Sequence, residues 1–140
     1  MILLDVNVIV YAHNPIFAAH KGVLRWLTDA LVDDEPVAVS DSILTSSYRV
    51  LSHRNISGSL QARQAVMKYL NELRAACVVI QKGDRYWPVF QSLIQQSDAA
   101  AQLVTDASIA ALAIEHGCRL ASFDRDFVRF TGLDWFEPTI

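Results

Sequence analysis

Three acidic residues stand where packing alone gives them little reason to be. Asp5 closes the apolar run Met1-Ile2-Leu3-Leu4 and is followed at once by Val6-Asn7-Val8-Ile9-Val10. Burying an unpaired carboxylate in such a stretch costs on the order of several kcal/mol. Asp106 follows Val104-Thr105 at the start of a long apolar helix pattern, and Asp124 follows Leu120-Ala121-Ser122-Phe123. Three separated apolar elements thus each deliver an Asp at one end. Hard divalent ions such as Mg²⁺ and Mn²⁺ prefer oxygen ligands and keep several waters, so a carboxylate cluster at element ends suits them. Such ions acidify bound water and stabilise the leaving oxygen of a phosphodiester. Taken singly, Asp106 reads equally well as a helix N-terminal charge and Asp124 as a turn or cap residue. Asp5 resists that treatment, and the coincidence of placement favours a metal site.

The elements that must position these acids follow from apolar pattern and punctuation. Residues 2–5, 37–39, 77–80 and 119–123 read as short apolar strands, with a final strand at 135–136. Helices are expected over 16–32, from Ser40 to about 53, from Ser59 to 74, near 85–97, and from a Thr105 cap to 116. In the first of these, Phe17, Val23, Leu24, Leu27 and Leu31 share one side. Gly117 is a natural stop, residues 124–130 form a short helical turn, and 97–103 read as loop. Alternation of this kind predicts an α/β fold with a short, mainly parallel sheet covered on both faces. Sites in such sheets lie at the carboxyl ends of the strands, where Asp5 and Asp124 fall.

Composition sets outer bounds. The chain has 140 residues, which fits one domain over 1–140; 52% are hydrophobic and 19% charged, so a full core is expected. A formal net charge of −3 argues against a general nucleic-acid binder while allowing a local basic patch. Cys77 and Cys118 read as buried free thiols, without the spacing of a disulfide framework or zinc site. No stretch is long and apolar enough to span a bilayer, and the first residues lack the pattern of a signal peptide. A soluble cytoplasmic protein is the expectation.

The segments Leu3-Leu4-Asp5-Val6-Asn7-Val8, Thr105-Asp106-Ala107-Ser108-Ile109-Ala110-Ala111-Leu112-Ala113 and Ser122-Phe123-Asp124-Arg125-Asp126-Phe127 resemble the PIN domain. More narrowly they look like the VapC-type toxins of bacterial toxin–antitoxin pairs. Glu115-His116-Gly117-Cys118-Arg119-Leu120 and Phe130-Thr131-Gly132-Leu133-Asp134-Trp135 fit the same group, so the likeness runs through nearly the whole chain. The resemblance implies a three-layer α/β/α domain and a Mg²⁺- or Mn²⁺-dependent endoribonuclease acting on tRNA or rRNA. It also implies a homodimer held inactive by a cognate antitoxin protein. On this resemblance Asp5, Asp106 and Asp124 are the metal ligands, Asn7 and Ser122 support them, and Asp126 is a neighbour that reaches the metal through water or is merely a surface cap.

One departure matters. The family commonly places a Glu on the helix after the second strand, and that position here holds Ser46. Asp41, which opens the same helix, is a candidate fourth acid or else a helix N-terminal charge. Ser42, Ser46, Arg49 and His53 share one helical face, expected to look into the cleft, where Arg49 would contact phosphate or pair with an acid. Arg54, Arg63, Lys68 and Arg74 form no clear stripe and read as a solvated face. Trp26, Tyr48, Trp87 and Phe90 would cover core or partner surface, with the Trp87-Pro88-Val89-Phe90 segment expected in the core. The rival class is a non-catalytic RNA- or antitoxin-binding module with a degraded metal site. A phosphate hydrolase or phospho-acceptor built on Asp5 would need a well-placed Lys and hydroxyl, which the spacing does not provide.

Overall fold

A computed structural model describes residues 1–140. Five short strands, β1 (Ile2–Leu4), β2 (Val37–Val39), β3 (Val78–Val79), β4 (Arg119–Ala121) and β5 (Asp134–Phe136), form one sheet in the order β3-β2-β1-β4-β5. Every neighbouring pair is parallel, with Ile2 opposite both Val37 and Arg119. Six helices complete the fold: α1 (Val6–His13), α2 (His20–Val32), α3 (Asp41–Leu51), α4 (Leu60–Ala76), α5 (Tyr86–Ser97) and α6 (Leu103–Glu115). A 3₁₀ turn spans Arg125–Arg129 between β4 and β5.

Parallel strands need crossover connections, which as a rule are right-handed. From β1 the chain steps outward to β2 and β3 through α1–α4, then back past β1 to β4 through α5 and α6. The reversal puts the two helix groups on opposite faces, giving three layers. Packing agrees: α1 lies against α2 and α3, α3 against α4, and α5 against α6. With both faces covered, central strand residues have no wet side; Leu3, Leu4, Ala38, Val39, Leu120 and Ala121 are fully buried. The direction of crossover changes between β1 and β4, and in sheets of this kind that point opens a crevice at the strand carboxyl ends.

Several expectations need correction. Val6–His13, to which the sequence reading assigns no element, is helix α1; Asp5 caps it by accepting the Val6 N–H at 2.7 Å. Helix α2 begins at His20, so Phe17 lies in the preceding turn, and Leu24 is 43% exposed rather than part of the buried side. Helix α6 starts at Leu103, a turn-fraction before the expected Thr105 cap, which leaves Asp106 inside its first turn. Trp87 is 64% exposed and is not core, although Phe90 packs against the core beside it. Gly117 ends α6 as expected, at φ +63°, where the Cys118 N–H reaches back to the Ala113 carbonyl at 2.9 Å. Both cysteines are free; Cys118 is buried and Cys77 half-buried. No helix is long and apolar enough to cross a membrane.

Candidate active site

Asp5 is 5% exposed and sits where β1 ends and α1 begins. Its environment explains how a buried carboxylate survives there. Oδ1 accepts the Val6 N–H, and Oδ2 accepts the Ser122 hydroxyl at 2.6 Å and the Asn7 amide at 2.8 Å. The second Asn7 amide hydrogen goes to Ser122 Oγ at 3.0 Å, and Asn7 Oδ1 accepts the Phe123 N–H at 3.2 Å. Ser122 Oγ also accepts the Asp124 N–H at 3.0 Å. The hydroxyl therefore uses its donor and both lone pairs, and the amide uses all three groups offered here. This closed network locks the end of β1 to the end of β4. Burial pushes the Asp5 carboxyl above its usual range; the Ser122 and Val6 hydrogen bonds work against that, and the Asp124 charge adds to it.

Asp124 follows β4 and caps the 3₁₀ turn by accepting the Asp126 N–H at 2.9 Å. Asp106 comes from the first turn of α6. The three acids line a single cleft of about 360 Å³, together with Asn7, Ser46, Arg49 and Thr105 and an apolar wall that includes Tyr11 and Phe17. Partial burial raises the Asp106 carboxyl to about 6, and the charges of Asp124, Asp5 and Asp126 push it the same way against a smaller pull from Arg129. The carboxylates thus feel one another without full compensation, which is the electrostatic condition that a bound cation relieves.

The donor set suits a hard ion, in a particular way. Asp5 Oδ2 is filled, leaving a lone pair on Oδ1; Asp124 keeps Oδ2 free; and no hydrogen bond to the Asp106 carboxylate is among the influences on it. All the unspent capacity is oxygen, as Mg²⁺ and Mn²⁺ prefer. The acids do not close into one ligand sphere: no three His, Cys, Asp or Glu side chains stand close enough together to hold an ion by themselves. Mg²⁺, which keeps several of its waters, needs only one or two direct carboxylates.

Asp41 is not brought to this cleft. It forms a two-point ion pair with Arg74, whose Nε donates to Oδ1 at 2.8 Å and Nη2 to Oδ2 at 3.3 Å, in a groove between α3 and α4. The arginine holds the Asp41 carboxyl below its usual range, opposite to the shift at Asp106. The helix-terminal alternative is therefore the one the structure favours. Of the helical face on α3, Ser46 and Arg49 line the cleft, whereas Ser42 turns to the Ser40 hydroxyl and His53 is exposed beyond the helix end. Asp126 is exposed and paired with Arg129 at 3.2 Å. The sequence places Phe17 on the apolar side of a helix and gives Tyr11 no role; the only signal for the wall they form is two aromatics flanking a Pro-containing turn.

Residues 2–133 match the PIN domain family. The chain is 34% identical to ribonuclease VapC43 of Mycobacterium tuberculosis, covering 99% of this chain and 95% of the relative. It is 30% identical to ribonuclease VapC25 of the same organism over the full length of both. Its fold superimposes on a crystal structure of VapBC2 from Rickettsia felis, solved bound to a promoter DNA fragment, with a TM-score of 0.72 at 20% identity, covering 99% of this chain and 100% of that one. The chain belongs to the PIN-domain family, and within it to the VapC type.

Proposed function

We propose that this chain is an endoribonuclease, the toxin of a toxin–antitoxin pair, which hydrolyses phosphodiester bonds of tRNA or rRNA with Mg²⁺ or Mn²⁺. The observation that carries the reading is the convergence of Asp5, Asp106 and Asp124 on one cleft with uncompensated negative charge. The ribonuclease names of the VapC relatives support RNA as the substrate. Asp5, Asp106 and Asp124 would hold the ion, one or two of them directly and the rest through its waters, and the ion would supply charge to the phosphate oxygens and acidify a bound water. Asn7 and Ser122 fix the Asp5 carboxylate in one orientation at the cleft, which would spare it reorganisation when a cation arrives. The Asp124 cap on the 3₁₀ turn does the same for the second acid. Asp106, rigid on α6 and free of hydrogen bonds, completes the set. The family likeness supports a cognate antitoxin as partner and a homodimer as the assembly.

The test is RNA cleavage by the purified chain with Mn²⁺, run beside Asp5→Asn. Cleavage by the wild type and none by the variant is the expected result. Equal, background-level products from both would remove the nuclease reading. They would leave the non-catalytic binding module, to which Ser46 in the usual Glu position already lends some weight.

A further inference from the structure

Arg49 and Phe17 enter the acidic cleft from walls that carry none of its carboxylates. Arg49 lies in the last turn of α3, and Phe17 in the turn between α1 and α2. Arg74, Arg119, Arg125 and Arg129 each hold a carboxylate within 4 Å; of the five arginines that hold none, Arg25, Arg49, Arg54, Arg63 and Arg85, Arg49 alone lines the cleft. Arg49 holds none, although three acids line the same cleft, and it is not among the charges that act on Asp106. Its side chain is exposed. A guanidinium so placed makes no ion pair with the acids; its fork of donors remains available to a phosphate.

Phe17 is held by a built turn. Asn14 Oδ1 accepts the Ile16 N–H at 3.0 Å, the Asn14 carbonyl accepts the Phe17 N–H at 3.2 Å, and the Phe17 carbonyl accepts the His20 N–H at 3.0 Å. The ring leans on Tyr11 with centroids 5.0 Å apart, and Tyr11 leans on Phe123 at 5.8 Å. All three rings are only partly buried, and Tyr11 and Phe17 line the cleft. Aromatic faces of this kind stack on nucleobases. The net charge of −3 leaves little for an extended basic track, so a few strong contacts must hold the strand.

We propose that Tyr11 and Phe17 form a stacking wall for a base next to the scissile phosphate, and that Arg49 binds a phosphate of the same strand; this rests on the RNA-cleaving reading above. Stacking needs a free base face, so the wall favours an unpaired nucleotide over the same base inside a duplex. Neither residue is needed to hold the metal.

The test reads binding, not cleavage. A fluorescein-labelled unstructured oligoribonucleotide is titrated with the wild-type chain in EDTA, beside the same sequence in a duplex. Variants are Phe17→Leu, Phe17→Trp and Arg49→Gln, each checked for unchanged thermal unfolding. The unpaired strand should bind more tightly than the duplex. Phe17→Leu should weaken it by about tenfold, as expected for losing one base stack. Phe17→Trp should restore binding, and Arg49→Gln should reduce the slope of log affinity against log salt by about 0.7, the value for one single-strand phosphate. The proposal is overturned by equal binding of duplex and single strand, by no binding of either, or by Phe17→Leu and Arg49→Gln binding like wild type. If the wild type cleaves RNA with Mn²⁺ while these variants bind and cleave unchanged, the stacking wall falls and the nuclease reading stands. If the binding pattern appears without cleavage, the reverse holds.

Discussion

Ser122 holds the two ends of the site together, although it carries no charge. It donates to Asp5 and accepts from Asn7 and from the Asp124 backbone, all inside the fold. Ser122→Ala removes the donor that steadies Asp5 and strands two N–H groups. The expected loss is about 1–3 kcal/mol of unfolding free energy by urea titration, with weakened Mn²⁺ affinity in the same protein. Asp106 acts in the opposite sense. Its carboxyl is raised to about 6 from an ordinary value of 3.8, so the folded state holds a proton that the unfolded state has already released. At this site the unfolded chain binds fewer protons between about pH 4 and pH 6, so the contribution of Asp106 to stability in EDTA falls as pH rises through that window and levels off above it. Asp5 shifts in the same direction and adds to the slope. Thermal melts across pH should show the wild type falling relative to Asp106→Asn through this window, with the variant the more stable protein near neutral pH without metal. Glu35 and His13, both shifted downward, push stability the other way in the wild type and the variant alike, so a wild-type profile that does not fall relative to that of Asp106→Asn between pH 4 and pH 6 would contradict the electrostatic account.

The secondary elements decide which acids meet, and only part of that was legible in the sequence. Asp5, Asp106 and Asp124 were readable because each stands at the end of an apolar element, and carboxyl ends of parallel strands share one edge of the sheet. Helix α1 was not: Val6, Val8, Ile9 and Val10 are β-branched and carry no polar period, and what makes them helical is the Asp5 cap and burial of three of the four. Asp41 stays open in the sequence between a fourth acid and a helix-terminal charge, because its partner, Arg74, lies on another helix and nothing local announces the pair. Asp41→Asn is therefore expected to leave Mn²⁺ affinity and RNA cleavage unchanged, measured side by side with Asp106→Asn; a loss of metal comparable to that variant would restore Asp41 as a ligand. Gly117 illustrates an element signal that the sequence carried in full. Its positive φ ends α6 away from the cleft, so Gly117→Ala should cost about 1–2 kcal/mol in chemical denaturation without altering metal binding.

At the scale of the molecule, one hydrophobic core spans the sheet and both helix layers, and it holds three like charges at a common edge. That arrangement is electrostatically unfavourable until a cation is supplied, so ion binding and folding stability should be linked. Mn²⁺ at a hundred times its dissociation constant should raise unfolding free energy by about 2.7 kcal/mol. The most direct test is calorimetric titration of Mn²⁺ into the wild type, Asp5→Asn and Asp106→Asn. The account predicts binding by the wild type and its loss in both variants. No heat of binding to the wild type at millimolar Mn²⁺, or binding that survives both substitutions, would contradict it.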